Sequence, residues 1–142
     1  RAKDESLEND LAFRSLLKEA ANAKTMQDAQ DEYFASADLD KAYKWAEEKG
    51  FKLPVSYLAI ADTFVHSGSA THFSSANITS FPAEGANETD VLRAYLQWRE
   101  DWLKGKGGVL ASTAFRPYTW RQLIDSDPQL TGAVTIRGDE VA

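Results

Sequence analysis

Asp62 lies in Leu53-Pro-Val-Ser-Tyr-Leu-Ala-Ile-Ala-Asp-Thr-Phe-Val-His-Ser-Gly68, a stretch that is otherwise almost wholly apolar. At helical spacing Val55, Leu58, Ala59, Asp62, Val65 and His66 share one face, while Tyr57, Ile60, Ala61 and Phe64 make the other sides apolar as well. Such a helix is expected to be buried all round, and a carboxylate inside it needs a cation or several hydrogen bonds. His66 and His72 could join Asp62 as metal donors. Two histidines six apart across a helix end is a weak ligand pattern, so no metal is assigned. His66 is instead expected to cap the helix C-terminus, where partial positive charge is favoured. The chain has no cysteine, which excludes disulfides, thiolate catalysis and Cys-based zinc sites. No serine nucleophile arrangement or phosphate-cradling glycine loop is present, and no cofactor is expected.

Five helices are expected to position these groups. The first spans about Ser6 to Ala23, with Leu7, Leu11, Leu16, Leu17 and Ala20 in register and Glu8 and Asp10 near its positive end. Thr25-Met-Gln-Asp28 resembles a capping box opening a second, which carries Met26, Ala29, Tyr33 and Phe34. Ser36 or Asp38 is expected to cap a third, which Gly50 stops. Pro54 opens the apolar fourth helix and Gly68 ends it. Segment 67–87, rich in Ser, Gly, Ala, Asn and Thr, reads as a long loop. Asn87 caps the fifth helix, Glu88 to about Lys104, whose stripe is Val91, Leu92, Tyr95, Leu96 and Trp102. A short helix at Thr119–Ile124 and a strand or extended tail at Ala133–Val141 complete an all-α architecture with a minor C-terminal β element.

With 142 residues, the chain reads as a single domain over 1–142, large enough for a real core. Its formal charge of −6 argues against nucleic acid and anionic membrane as partners. No run approaches the roughly 20 apolar residues of a membrane span. The chain begins at Arg1 without signal-peptide features, so it is expected to be a processed, trimmed or recombinant segment. Asn77-Ile-Thr and Asn87-Glu-Thr fit the glycosylation pattern, a triplet that arises often by chance.

From residue 10 onward the chain resembles the C-terminal part of the chitosanase-like glycoside hydrolases, family 46 and relatives. Lys18-Glu-Ala-Ala21 with Met26-Gln-Asp-Ala-Gln-Asp31 and Phe34 is similar to a helix pair of that family. Ala59-Ile-Ala-Asp-Thr-Phe-Val-His-Ser-Gly-Ser69 is similar to one of its helix ends, except that the family's histidine falls where this chain has Ser67. Ala94-Tyr95, Arg99 and Trp102-Leu103 resemble another of its helices, Thr113-Ala-Phe-Arg116 a following motif, and Leu130 with Ile136 to Val141 its closing segment. Asp38, Lys41 and Ser126-Asp-Pro128 depart from its pattern.

The resemblance implies a lysozyme-like helical lobe and cleavage of β-1,4-linked amino-sugar polymers, chitosan or peptidoglycan, by two carboxylates. In the family both lie in an N-terminal portion that nothing here resembles, so catalytic residues are not assigned. An N-terminal fragment of the same protein is then an expected partner, and the chain would be secreted or directed to the cell envelope. The resemblance also implies that Asp62, Arg99 and Arg116 form a buried charge network bracing the cleft, which solves the problem posed by Asp62. Breaking one member would cost roughly 3–5 kcal/mol. Trp98 and Trp120 lie off the clearest apolar stripes and are the candidate sugar contacts. Unaided hydrolysis would need a second carboxylate about 5 to 9.5 Å from the first. Glu5, Glu8 and Asp10 read as a solvated helix start instead. The alternative function is a non-catalytic glycan- or protein-binding module on the same fold.

Overall fold

A computed structural model describes residues 6–136 and 139–141. Glu5 and the side chain of Glu8, expected at a solvated helix start, lie outside the described groups. Two compact units can be distinguished, the first ending at Ala37 and the second beginning at Asp38.

In the first unit, a 3-10 turn at Ser6–Asn9 precedes α1 (Leu11–Ala21) and α2 (Lys24–Phe34). The expected single helix divides at Asp10 for a local reason. The Asp10 carboxylate accepts from the backbone N–H groups of Ala12 and Phe13, an N-cap that starts α1 afresh. The expected capping box at Thr25 does not form: α2 starts one residue earlier, with Ala23 at its N-cap position, and Asp28 pairs with Lys24 instead. Neither helix buries a residue, and Leu11, Leu16, Leu17 and Tyr33 are exposed.

A π turn at Ala35–Leu39 leads to α3 (Asp40–Glu48), so neither Ser36 nor Asp38 acts as a cap. The Ser36 hydroxyl is spent donating to the Glu32 carbonyl, at 2.9 Å. In the second unit α3 packs on α4 (Pro54–Ser67), and α4 also meets α6 (Glu88–Lys106) and α8 (Phe115–Ser126). The expected loop 67–87 is partly helical, holding α5 (Thr71–Ser75) and a 3-10 turn at Pro82–Glu84. Its order comes from Phe73 and Phe81, which enter an aromatic core with Trp45, Phe51, Phe64 and Tyr95. Phe73 stacks on Tyr95 with ring centroids 3.7 Å apart. The short α7 (Gly108–Ser112) follows α6. The expected helix at Thr119–Ile124 extends over all of α8, and Val134–Ile136 pairs antiparallel with Asp139–Val141 as β1 and β2.

α4 is not buried all round. Leu58 and Val65 are exposed, and Asp62 shares their strip of the helix surface because it is four residues from one and three from the other. The N-terminus of α4 has no side-chain cap of its own. Glu88, at the start of α6, supplies one from across the fold. Its Oε1 accepts from the Lys52 N–H at 2.9 Å, the Leu53 N–H at 2.8 Å and the Ser56 hydroxyl at 2.6 Å. An anion placed there also meets the positive end of the α4 dipole. Glu88→Ala is therefore expected to lower stability by about 2 kcal/mol in chemical denaturation, the usual loss for hydrogen bonds to a charged group. Glu88→Gln should recover part of it by keeping an acceptor.

Candidate active-site cleft

Asp62 leaves the middle of α4 and meets Arg116 on the first turn of α8. Arg116 Nε donates to Asp62 Oδ1 at 2.9 Å, and Nη2 donates to the same oxygen. The pair lines a cleft of about 250 Å³ together with Phe115, Thr119 and Trp120. Carboxylate, guanidinium, hydroxyl and indole thus converge in one concavity, a set able to bind a polyhydroxylated ligand. Asp62 enters it as a hydrogen-bond acceptor for a guanidinium.

Arg99 does not complete the expected network by pairing with Asp62. It is 1% exposed, and among the described residues its hydrogen-bond partners are all neutral groups. Nη1 donates to His72 Nδ1 at 2.7 Å and to the Tyr95 hydroxyl at 3.4 Å. Nη2 donates to His66 Nδ1 at 2.9 Å and to the Ser67 hydroxyl at 2.8 Å. Each Nδ1 is then an unprotonated acceptor, which leaves the ring proton on Nε2. His66 is thus a partner of Arg99 and not primarily a helix cap. The C-terminus of α4 is closed by Gly68 at φ 73°, whose N–H bonds the Phe64 carbonyl. Burial lowers the pKa of both imidazoles, and the Arg99 charge lowers them further. His66 also senses Arg116, which lowers its pKa, and Asp62, which raises it, so the two arginine clusters are electrostatic neighbours. Among the described residues, no group of three His, Cys, Asp or Glu side chains is placed to hold a metal ion.

The remainder of the network extends behind Arg99. The Tyr95 hydroxyl donates to Thr63 Oγ1 at 3.2 Å, and Thr63 Oγ1 donates to the Ala59 carbonyl at 3.0 Å. Burial raises the Tyr95 pKa, which keeps the phenol protonated as a donor. Of the two candidate sugar contacts, Trp120 lines the Asp62 cleft, whereas Trp98 is packed against Trp102 and His72 with centroids 6.1 and 5.8 Å away. Both indoles are half-buried, so neither is an open platform.

One buried charge escaped the sequence reading. Glu100 is 5% exposed and pairs with Arg121 at 2.7 Å and with Lys104. Its spacing contained the signal, because Glu100 falls four residues after Leu96 and eight after Leu92 on the stripe facing the core.

The expected penalty at Asp62 shrinks with this geometry. Its side chain is 14% exposed and that of Arg116 31%, so water can compensate a broken pair. Asp62→Asn is expected to cost about 1–2 kcal/mol in a urea titration, below the range for fully buried pairs.

No protein-family model matches the chain, and no curated protein matches it. A solved structure does: a GH46 chitosanase of Gynuella sunshinyii in complex with chitotetraose, at 18% identity and a TM-score of 0.83. The likeness covers 98% of this chain, which spans 63% of the length of the chitosanase. The chain has the all-α, chitosanase-like fold.

Proposed function

We propose that this chain is part of a glycoside hydrolase acting on β-1,4-linked amino-sugar polymers, chitosan or peptidoglycan. Its two catalytic carboxylates lie in an N-terminal portion outside these 142 residues. The observation that carries this reading is the fold likeness over 98% of the chain to a chitosanase solved with a chito-oligosaccharide. The Asp62–Arg116 cleft with Trp120 on its wall is compatible with a sugar ligand. The exposed Leu11, Leu16, Leu17 and Tyr33 of the first unit give an N-terminal fragment an apolar surface to cover. Such an enzyme would work outside the cell or in its envelope, where these polymers occur. Asp62, Arg99 and Arg116 act as cleft-bracing groups in this reading.

The second reading, a non-catalytic glycan- or protein-binding module, is favoured by one observation. The carboxylate in the cleft already accepts two guanidinium N–H groups on one oxygen, and an ion-paired acid is poorly suited to donating protons. Assays of chitosan and peptidoglycan, for binding and for new reducing ends, separate the two. The 142-residue chain is expected to bind without turnover, and the polypeptide extended by its natural upstream sequence is expected to release reducing ends. Binding by the extended polypeptide without release would establish the module instead. Absence of both from the extended polypeptide would overturn both glycan readings.

A further inference from the structure

A second concavity lies on the other side of α4 from Asp62. Phe64 forms part of its wall, and residues two apart on a helix point about 200° apart. It measures about 450 Å³, and its wall is the half-buried Trp45 backed by Phe64, Phe73 and Phe81, which are buried in the core. Its rim carries the hydroxyls of Ser69, Thr71 and Ser74. The positive φ of Gly68 turns the chain out of α4 and sets this rim, where the Ser69 and Thr71 hydroxyls bond each other at 2.9 Å. Lys49 completes the lining. Its Nζ lies 4.6 Å from the Phe81 ring centroid and forms no ion pair among the described residues. In a chain of net charge −6, this ammonium, without an acid partner among the described residues and set at the edge of the cleft, can meet a ligand's anion.

The geometry points to a second saccharide site here, taking an N-acetylated sugar that carries a carboxylate. The acetyl methyl and the apolar ring face meet the aromatic wall, sugar hydroxyls exchange hydrogen bonds with the Ser and Thr rim, and the carboxylate meets Lys49 Nζ. A glucosamine polymer fits this site less well, because its ammonium groups repel Lys49. The inference rests on the amino-sugar reading and narrows it, selecting acidic peptidoglycan-type saccharide over chitosan as the ligand of this site.

The chain has 4 tryptophans, whose indole N–H signals act as addresses in a nuclear magnetic resonance titration. Trp45 reports on the Lys49 cleft and Trp120 on the Asp62 cleft. The three probes are the N-acetylglucosamine–N-acetylmuramic acid disaccharide, neutral chitotetramer bearing all its acetyl groups, and fully deacetylated chitotetraose. The acidic disaccharide is expected to move the Trp45 signal at the lowest concentration. Lys49→Gln, which keeps most of the apolar stem, should weaken that response about tenfold while barely affecting the neutral sugar. Thr71→Val, at an exposed position, should weaken all three. Equal responses to acidic and neutral sugars, or a Lys49→Gln response equal to wild type, would overturn the assignment. A titration that moves Trp120 and leaves Trp45 still would sink this site while supporting the amino-sugar reading. Stillness of both signals with every sugar would count against both.

Discussion

Replacing Arg99 with alanine is expected to destabilise the protein by about 3 kcal/mol, chiefly through a large-side-chain cavity, with the buried Tyr95 hydroxyl and three half-buried acceptors losing their donor. Arg99 is 1% exposed and ties His66 and Ser67 at the end of α4 to His72 of α5 and Tyr95 of α6. Arg99→Lys should rescue little, since one ammonium cannot span two imidazoles the way a planar fork does. Guanidinium denaturation at pH 8 measures both changes. A loss below about 1 kcal/mol for Arg99→Ala would show that the cluster relaxes around the gap.

The same cluster gives stability a distinctive pH dependence. Both imidazoles are held below the ordinary value of 6.5, first by burial and then by the Arg99 charge. Below 6.5 the unfolded chain therefore takes up protons that the folded chain refuses. The stabilisation is complete above that pH and is lost as pH falls through the folded values. Wild type should lose stability in a window that opens as pH falls below 6.5, above the range in which most carboxylates titrate. Asp127, whose pKa is depressed mainly by the Gly132 and Thr131 backbone N–H groups, contributes only below that window. His66→Asn with His72→Asn keeps acceptors near the Nδ1 positions and should flatten the slope. An unchanged slope in the double variant would refute the assignment.

Arg121→Ala is the second large effect, expected to cost about 3 kcal/mol because it leaves the buried Glu100 carboxylate with a single, mostly exposed partner. Lys104, whose side chain is 59% exposed, is the remaining partner, and it bonds from solvent. The double variant Glu100→Leu, Arg121→Leu should recover most of the loss, since apolar residues of similar size often replace a buried pair at no net cost. A double-mutant cycle checks this directly. Additive losses would mean that the two side chains stabilise the fold independently. Arg121 also donates to Gln97, so part of the effect lies outside the pair.

The main elements of the second unit were legible because their signals are local. Pro54 at the first turn and Gly68 at positive φ delimit α4, and Asn87 caps α6 by accepting from the Asp90 N–H at 3.1 Å. Where a cap was misread, another local hydrogen bond had already taken the residue, as with Ser36 on the Glu32 carbonyl. Segment 67–87 was misread for a different reason. Its small polar residues hide Phe73 and Phe81, whose burial against Trp45 and Tyr95 is a long-range event with no periodic trace.

The sequence by itself determined the all-α class, the apolar helix around Asp62 and the need of that carboxylate for a cation or several hydrogen bonds. These follow from periodicity and from the cost of burying an unpaired charge, both properties of the chain as written. Only the tertiary structure decided which arginine answers Asp62. Arg116 reaches it because α8 packs on α4, while Arg99 ends between two imidazoles. The two arginines are equal in charge and reach, so sequence cannot rank them. Their packing places one against a carboxylate at a cleft and buries the other among neutral acceptors.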